Sequence, residues 1–438
     1  MRLVIVCVLA GFVLSAAIGL YIVRYDISWL QNCQAGLSAR ESCNFSVAEK
    51  KLLEAASAAS HFSRTDGRGY STDLALAQMY VAMGNFPRAK EFIDRMRLAA
   101  DAENNVQNQL TVMSLHADWL YRQAKFDEAR KVYTAMFELA RKNEQTIFEI
   151  DAQFALTKLD FLFSKRADAE ARVQQLEELL PKLKQPTNSA IVLSIYTGLI
   201  GELKGRYKTT SNLYEDADRV IQSQQKPSSA LRLAIANNSC TFYLQTRNVM
   251  RAKNVGRRAL DNCDKDFESY FAGNLLHALR NMASVSLAEK DNRRARHFIE
   301  REIEEVGKRL SHDHPFYGVA LEHRAVLESR EGKKKEAEKD FKECQDIFEK
   351  SLNAQNRFKA DTLLDIARMQ LDANDTKSST ATCQRAIAMY KSFLPYDHPS
   401  VLSANLVLAE NYQRQNKPDL ANALIREASI GFGVADGR

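Results

Sequence analysis

The chain has 438 residues, with 61 basic and 55 acidic side chains and a formal net charge of +6. This near balance argues against a dedicated nucleic-acid-binding protein, in which basic side chains would gather on one face. Apolar residues make up 45% of the sequence and aromatic residues 9%, which excludes a disordered chain. No useful stretch alternates apolar and polar residues, so we expect essentially no β-sheet.

The first predicted element is an apolar segment at the N-terminus. Leu3 to Val23 form a run of 21 residues without a charge, between Arg2 and Arg24. As a helix this run spans roughly 31 Å, about the thickness of the hydrocarbon core of a bilayer. We therefore predict one N-terminal transmembrane helix within residues 1–25, which act as a membrane anchor or a signal sequence.

Two fates of this segment remain open. Ser15-Ala16-Ala17 offers a small-residue cleavage site, whereas the apolar stretch continues to Val23, which favours an uncleaved signal-anchor. A short N-terminus ahead of such a segment usually stays inside, although the Lys and Arg bias across it is weak. We expect a single-pass membrane protein with extracytoplasmic repeats, periplasmic in a bacterial source. The alternative is secretion after cleavage near Ala17.

Residues 26–69 are predicted to form a degenerate capping repeat. Cys33 and Cys43 would form a disulfide in an oxidising compartment, but a helix over residues 29–42 places them roughly 15 Å apart and excludes that bond. Gly36, Ala48 and Leu52 keep the register of the later repeats, which favours the helix. Three other cysteines fall on predicted core positions, where a thiol behaves as a small hydrophobe: Cys240, Cys344 and Cys383.

Residues 70–430 continue the pattern in steps of 40 to 43 residues. Each unit has two amphipathic stretches around a turn, and each stretch carries a small residue where two packed helices would cross. In the second stretches these residues are Ala48, Ala89, Ala129, Ala169, Thr210, Ala252, Ala295, Ala337, Ser379 and Ala421. In the first stretches they are Gly36, Ala77, Ala117, Thr157, Gly198, Cys240, Ala283, Ala325, Ala367 and Ala409. Such a period is typical of stacked helix pairs, about nine of them after the capping repeat, with a flexible tail at residues 431–438.

Two units carry more specific expectations. In residues 311–352, Asp313 is predicted to cap the first helix, Pro315 suits its first turn, and Gly332 ends it. In the unit around residues 150–183, Asp160 and Lys165 stand where apolar residues or glycine are usual. We interpret this second unit as a possible change in the curvature of the stack.

The turns and the period resemble the tetratricopeptide repeat (TPR) family. Its turn is similar to Met83-Gly84-Asn85-Phe86-Pro87-Arg88-Ala89, Lys204-Gly205-Arg206-Tyr207 and Glu331-Gly332-Lys333. The longer period, with Asp313-His314-Pro315 and Asp397-His398-Pro399, is similar to the kinesin light chain subtype, although the intervening repeat has Gln355-Asn356-Arg357. The resemblance covers residues from about 29 to 430. It implies an all-α fold, a right-handed superhelical α-solenoid of helix hairpins, whose concave groove binds extended or helical peptides.

Polar residues stand at the groove positions that this register gives. They lie three and two residues before the small residue of a first helix, and one residue after it: Asn237, Asn238, Thr241, Arg280, Asn281, Ser284, Glu322, His323, Asp365 and Arg368. Asn237-Asn238 is similar to the paired asparagines of kinesin light chain repeats, which in that family hold a peptide backbone through their amides. For any single residue, an ordinary solvated helix surface is the alternative.

No catalytic constellation emerges from the sequence. It has no glycine-rich phosphate loop, no CxxC pair, no HExxH and no nucleophile elbow. The nearest approach to a metal site is His312-Asp313-His314 with His323 further along, and helix capping is the favoured reading of that loop. We therefore predict no cofactor, no metal, no small-molecule substrate, no nucleic acid and no enzymatic activity.

The predicted function is a non-catalytic, membrane-tethered TPR scaffold that binds a protein or peptide partner in its concave groove. The alternative is a secreted or periplasmic TPR protein that assists assembly of an envelope complex. A remote alternative is an enzyme or metal-binding protein with its site near His312, His314 and His323.

Overall fold

The computed structural model describes residues 2–63, 66–183, 187–224, 228–261, 266–271 and 273–435. The side chains of residues 2–20, 187, 269–270 and 432–435 lie outside this description. Within the described residues the regular structure is helical throughout, as the absence of alternating stretches predicts. The all-α fold is therefore confirmed for the described part of the chain.

The helices follow one another as antiparallel pairs. The pairs are α1 (Arg2–Glu41) with α2 (Phe45–Ala59), α3 (Gly67–Met83) with α4 (Phe86–Ala102), α7 (Thr146–Leu162) with α8 (Arg166–Leu179), α9 (Thr187–Leu203) with α10 (Tyr207–Gln222), α11 (Ser229–Gln245) with α12 (Val249–Leu260), α14 (Asn274–Ala288) with α15 (Asn292–Arg309), α16 (Pro315–Arg330) with α17 (Lys334–Ser351), α18 (Arg357–Asp372) with α19 (Thr376–Lys391), and α20 (Pro399–Arg414) with α21 (Pro418–Ala435). Between α4 and α7 the chain forms α5 (Val106–Arg122), a turn, and α6 (Phe126–Lys142). A short helix, α13 (Phe267–Phe271), lies between α12 and α14. A 3₁₀ turn, Leu180–Lys182, follows α8.

The chain divides into two compact units. The N-terminal unit comprises residues 1–119 and 264–271, and the C-terminal unit comprises residues 120–263 and 272–438. The predicted division into an anchor, a capping repeat, a solenoid and a tail stays a prediction, as does the right-handed superhelix.

The small residues of the repeat lie where helices cross. All ten small residues of the second helices have no exposed surface, from Ala48 to Ala421. The crossings leave no room for a larger side chain: a Cβ on Gly198 would lie 2.5 Å from Tyr214 Cε1, and one on Gly36 would lie 2.8 Å from Leu52 Cγ. Close crossing therefore selects the small residues that mark the period in the sequence.

The turns inside the helix pairs share one backbone feature. Five residues before each small residue of a second helix, the backbone adopts positive φ: Cys43, Gly84, Ala124, Ser164, Gly205, Arg247, Lys290, Gly332, Asn374 and Asn416. Only three of these ten residues are glycine, although the left-handed region costs other residues roughly 1–2 kcal/mol. The turn geometry is therefore set by the packing of the helix pair and not by the local sequence.

The N-caps of three first helices correct the sequence analysis. His314 caps α16, and its Nδ1 accepts from the Phe316 N–H at 3.1 Å. The predicted cap, Asp313, is exposed and lies 3.8 Å from Lys350 Nζ. Asn356 and His398 cap α18 and α20 in the same way. The prediction of Asp313 was wrong because a turn brings His314 into the extended conformation in which its ring reaches the N–H two residues on.

These three caps also contact helix ends about five repeats earlier, within the C-terminal unit. The His314 ring packs on Tyr121 and Phe126, with ring centroids 5.4 and 5.5 Å apart. Asn356 Nδ2 donates to the Leu162 carbonyl at 2.8 Å. The His398 ring lies 6.3 Å from the Tyr207 ring. The repeats of the C-terminal unit therefore curl so far that repeats about five apart in the sequence are in contact.

The predicted N-terminal features have mixed outcomes. Cys33 lies in helix α1 and is a free, buried thiol. This agrees with the favoured prediction of a helix over residues 29–42, which excludes a disulfide between Cys33 and Cys43. Cys240, Cys344 and Cys383 are fully buried, as predicted for core positions. Within the residues searched, no helix is both long and apolar enough to span a bilayer. The side chains of most of the predicted membrane segment, Leu3 to Val23, lie outside the described residues.

The unusual unit around residues 150–183 buries a charge. Asp160 is fully buried at the end of α7. Its carboxylate accepts from Arg130 Nη1 at 2.6 Å and from Arg172 Nε at 2.7 Å. These two guanidinium groups replace the lost hydration of Asp160. They explain how an acidic residue occupies a position that is usually apolar.

Candidate functional site

The predicted groove residues of α11 and α14 form one hydrogen-bonded group. Asn281 Nδ2 donates to the Asn237 carbonyl at 2.9 Å, and Thr241 Oγ1 donates to Asn281 Oδ1 at 3.0 Å. Asn237 is fully buried, and its Nδ2 donates to the Asn274 carbonyl at 3.0 Å. Asn238 is half-buried and bonds its own helix at the Ala234 carbonyl. Asn237, Thr241 and Asn281 therefore join the neighbouring first helices α11 and α14.

The contacts continue from α14 to α16 and α18. Ser284 Oγ lies 3.2 Å from His323 Nε2, and His323 Nδ1 lies 2.9 Å from Glu302 Oε2. On the next helix, Thr362 Oγ1 donates to Glu322 Oε1 at 3.0 Å. A continuous polar row therefore crosses the first helices α11, α14, α16 and α18. We call it the polar row, and it consists of Asn237, Asn238, Thr241, Arg280, Asn281, Ser284, Glu322, His323, Thr362, Asp365 and Arg368.

Two cations of the C-terminal unit lie against one group of aromatic rings. The Arg280 guanidinium lies 4.8 Å from the centre of the Phe316 ring, and Lys158 Nζ lies 4.0 Å from the centre of the Tyr121 ring. His314 packs between them, with its ring 4.9 Å from Phe316. Burial lowers the pKa of Arg280, with Glu302 and Tyr121 acting in the opposite direction. Among the described residues no carboxylate forms an ion pair with Arg280.

A second network joins α9 and α11 to α18. Tyr214 donates to Glu202 at 2.7 Å. In the amide orientation that satisfies both neighbours, Gln245 Nε2 donates to Glu202 Oε2 at 3.1 Å and its oxygen accepts from Arg357 Nη2 at 2.8 Å. Arg357 also lies 3.6 Å from Asp361, which accepts a short hydrogen bond from Tyr390. This network connects repeats that are far apart in the sequence.

The acidic groups of this region lie in a confined space. Burial raises the pKa of Glu202 to about 7. Burial also raises the pKa of Glu322 well above its usual value, and the charges of Asp365 and Asp361 add to the effect. The pKa of Asp361 is raised by burial as well, although 35% of its side chain is exposed.

Arg368 is the most accessible member of the polar row. Its side chain is 47% exposed and pairs with Asp365 at 2.7 Å. The charge of Asp365 in turn raises the pKa of the buried Glu322, another member of the polar row. Arg280, Asn238 and His323 are half-buried, so these three side chains and Arg368 offer the accessible polar groups.

The sequence analysis missed several members of these networks. Glu302 lies on α15, a second helix, where the groove register places no residue. It occupies the buried stripe of α15 with Ala295, Ile299 and Val306. An acidic residue on the apolar stripe of a helix is the sequence signal that could have found it. Glu202, Gln245 and Arg357 carry no such signal, because only the curl of the unit brings them together.

The described residues hold no cluster of three or more His, Cys, Asp or Glu side chains that could bind a metal ion. The loop that came nearest to such a site in the sequence has other contacts. The His312 ring packs on Tyr317 at 4.7 Å, and His314 uses its Nδ1 as a helix cap. His323 bonds Ser284 and Glu302 instead.

Comparisons with known proteins identify the fold. No protein-family model matches the chain, and no curated protein matches its sequence. A Rap protein complexed with competence and sporulation factor is similar in structure, with a TM-score of 0.55 at 12% identity over 84% of this chain and 99% of that one. The chain has a TPR-type repeat fold. This confirms the fold predicted from the turns and the period, and the likeness concerns the fold alone.

Two other solved repeat structures are less similar. A putative kinesin light chain from Podosopora anserina with nearly identical TPR-like repeats has a TM-score of 0.32 at 17% identity, over 48% of this chain and 98% of that one. A human IFIT1 dimer with m7Gppp-AAAA has a TM-score of 0.45 at 14% identity, over 87% of this chain and 85% of that one.

Proposed function

We propose that this TPR-type protein is a scaffold that binds a protein or peptide partner on the polar row of its C-terminal unit. The observation that supports the proposal is the continuity of this row. Hydrogen bonds between first helices link α11 to α14, α14 to α16 and α16 to α18. A surface that crosses consecutive repeats in this way suits an extended ligand, because each repeat offers polar groups at a regular spacing.

The balance of buried and accessible groups divides the polar row into two tasks. Asn237 and Asn281 are buried and bond backbone carbonyls of neighbouring helices, so they fix the spacing of the first helices. Arg280, Arg368 and Asn238 keep accessible surface and are the groups that meet the partner. The buried groups therefore hold the surface in place, and the accessible groups contact the partner.

The experiment for the binding proposal is selection of a ligand from a displayed library of short random peptides, with affinities measured by fluorescence anisotropy. Arg280→Ala with Arg368→Ala should weaken binding of the selected peptide at least about tenfold, since each lost charged contact typically costs a factor of this size. The control is Arg385→Ala, which removes an exposed guanidinium from a second helix. An unchanged affinity in a correctly folded double variant would contradict the proposal.

We propose in addition that residues 1–25 tether the scaffold to a membrane with the repeats outside the cytoplasm. The support is the uncharged run of 21 residues at the N-terminus. The alternative is release after cleavage near Ala17, which gives a secreted or periplasmic protein that assists assembly of an envelope complex. Mass spectrometry of the N-terminal peptide and alkaline extraction of native membranes separate the two. A start at Met1 in the extracted membranes supports the anchor, and a start at Ile18 in the soluble fraction contradicts it.

A further inference from the structure

Three side chains of the polar region form a hydrogen-bonded relay from a serine through a histidine to a glutamate. Ser284 lies on α14, Glu302 on α15 and His323 on α16. Ser284 Oγ is 3.2 Å from His323 Nε2, and His323 Nδ1 is 2.9 Å from Glu302 Oε2. This is the arrangement of a hydroxyl nucleophile, a general base and an orienting acid, within the distances that such groups keep in resting enzymes.

The buried member of the relay fixes the direction of the hydrogen bonds. Glu302 is 1% exposed, and its carboxylate accepts the Nδ1–H of His323. The other ring nitrogen, Nε2, then carries a lone pair and accepts the Ser284 Oγ–H. His323 is therefore held in the tautomer that can take a proton from the serine.

The hydroxyl of Ser284 has a different hydrogen-bond partner from other serines inside helices. Ser286 donates to the Met282 carbonyl at 2.8 Å, and Ser194 donates to the Ala190 carbonyl at 3.0 Å. Such a bond to the preceding turn is the usual arrangement for a helical serine. Ser284 instead bonds across to the neighbouring repeat at His323. Its oxygen therefore faces the neighbouring first helix, and its lone pairs are not used in a bond to its own helix.

A positive group lies on the same helix face. Arg280 is one helical turn before Ser284, a rise of about 6 Å along α14. On α16, Phe316 lies about two turns before His323. Its ring centre is 4.8 Å from the Arg280 guanidinium. Among the described residues no carboxylate pairs with Arg280, so its N–H groups are available to an oxyanion that forms beside Ser284. Burial, which lowers the pKa of Arg280, also strengthens its field at that place.

We propose that Ser284, His323 and Glu302 form an acyl-transfer centre that hydrolyses carboxylic esters, with Arg280 as the oxyanion partner. Ser284 Oγ attacks the acyl carbon while its proton moves to His323 Nε2. The acyl C–O bond then breaks, and the leaving alcohol takes that proton. In the second half water attacks the acyl carbon and gives a proton to His323 Nε2. The bond between the acyl carbon and Ser284 Oγ then breaks, His323 returns the proton to Ser284 Oγ, and the carboxylic acid is released. The proposal goes beyond binding and revises the prediction that the chain has no enzymatic activity.

The first test is covalent labelling of the full-length protein. A fluorophosphonate probe should modify the unaltered protein at Ser284, and peptide mass spectrometry would locate the adduct. The label should disappear after the His323→Gln change, while circular dichroism shows that the helices remain. Absence of an adduct at Ser284 in the folded, unaltered protein at saturating probe would overturn the proposal, and this result needs no variant.

The second test is hydrolysis of p-nitrophenyl butyrate. Ser284→Ala and His323→Gln should each lower the turnover at least about 10³-fold, and Glu302→Gln should lower it about 10²-fold or more. Ser194→Ala is the matched control, because it removes a helical hydroxyl that bonds only its own helix, and its turnover should equal that of the unaltered protein. Equal turnover in Ser284→Ala would show that the relay is a structural bridge between repeats. The selected peptide of the binding experiment should still bind Glu302→Gln, because Glu302 lies on α15 outside the polar row, and this keeps the two proposals separable.

Discussion

Both compact units hold together residues that are far apart in the chain, but they use different parts of the sequence to do so. In the N-terminal unit the contact comes from an insertion: Phe267, in the short helix α13, lies 4.5 Å under the Arg40 guanidinium. In the C-terminal unit it comes from the repeat itself, because His314, Asn356 and His398 occupy equivalent caps 42 residues apart. A contact that is built into the repeat recurs in three consecutive repeats of the C-terminal unit, whereas the contact from the insertion occurs once.

The difference has an energetic consequence. A linear repeat array is stabilised by contacts between neighbours, so its ends can unfold by themselves. Contacts between successive turns of the C-terminal unit add cooperativity, since loss of one repeat also removes the support of another about five repeats away. The changes below are chosen to test this contrast, and they run from the largest expected effect to the smallest.

Ala337→Arg should have the largest effect. It forces a long charged side chain into a fully buried helix crossing of the C-terminal unit and should lower the free energy of unfolding by about 3–5 kcal/mol. Ala89→Arg places the same change in the N-terminal unit. Chemical denaturation followed by circular dichroism measures both. We expect Ala337→Arg to shift the whole transition of its unit, and a variant as stable as the parent protein would contradict the register of the repeats.

Acid should weaken the turn-to-turn contacts. Burial lowers the pKa of His398 to about 3, below its ordinary value of 6.5, and lowers that of His314 as well. At these two histidines the folded protein then binds fewer protons than the unfolded chain, so their contribution to stability falls as the pH drops below 6.5. Between pH 6.5 and 4.5 this loss amounts to about 2 kcal/mol for one such histidine.

The comparison that isolates this effect is His398→Asn, which installs the residue that the middle repeat uses. Glu202 acts in the opposite direction in this range, because its raised pKa of about 7 gives stability that is present below pH 4.5 and is lost as the pH rises. Glu202 is the same in both proteins, so the difference between their unfolding free energies reports His398 alone. Parallel pH profiles would mean that His398 is accessible to water in the folded state.

Asn356→Ala should cost about 2 kcal/mol. It removes the cap of α18 and the 2.8 Å hydrogen bond that Asn356 donates to the Leu162 carbonyl, about five repeats earlier in the chain. The control is Asn248→Ala, since Asn248 caps α12 through the Arg251 N–H without a distant partner. Hydrogen exchange should accelerate in both α18 and the end of α7 for Asn356→Ala, and only near α12 for the control. Exchange confined to α18 would argue against coupling between turns.

Most of the fold follows from local physical rules that the sequence displays. Small residues such as Ala337 are visible as a period because every helix pair must cross closely. His314 and His398 were visible in the sequence as parts of the Asp-His-Pro motif, but the cap was assigned to Asp313, and the contacts of the two histidines with Tyr121 and Tyr207 depend on how the repeats curl. Curl is a sum of small angles over five repeats, and no local sequence rule states it.

The residues of the candidate site likewise include some that the sequence predicted and some that only the packing of the helices reveals. Ser284 and His323 were predicted as groove residues because they share a register on the first helices. Glu302 was missed because it approaches His323 from a second helix, on the buried stripe of α15. Glu202 and Arg357 meet only through Gln245 and the closure of the turn. A register predicts which face a residue occupies, but it does not predict which side chains from other helices will meet it.

Ala124→Gly is the smallest expected change and tests the local side of the contrast. Ala124 adopts a φ of 60° in the turn between α5 and α6, where three other pairs use glycine. Glycine enters this region without a steric penalty, although it also adds freedom to the unfolded chain, so the net gain should be about 0.5–1 kcal/mol. The melting temperature should rise by a few degrees at most.

Gly332→Ala is the mirror variant, since Gly332 has a φ of 78° and open space around it, and it should lose a similar amount of stability. If Ala124→Gly were neutral while Gly332→Ala was destabilising, the unfolded chain would be offsetting the relief of strain. If both were neutral, the turn conformation would not be fixed by the helix pairs, and the contrast between local turns and long-range caps would lose its local half.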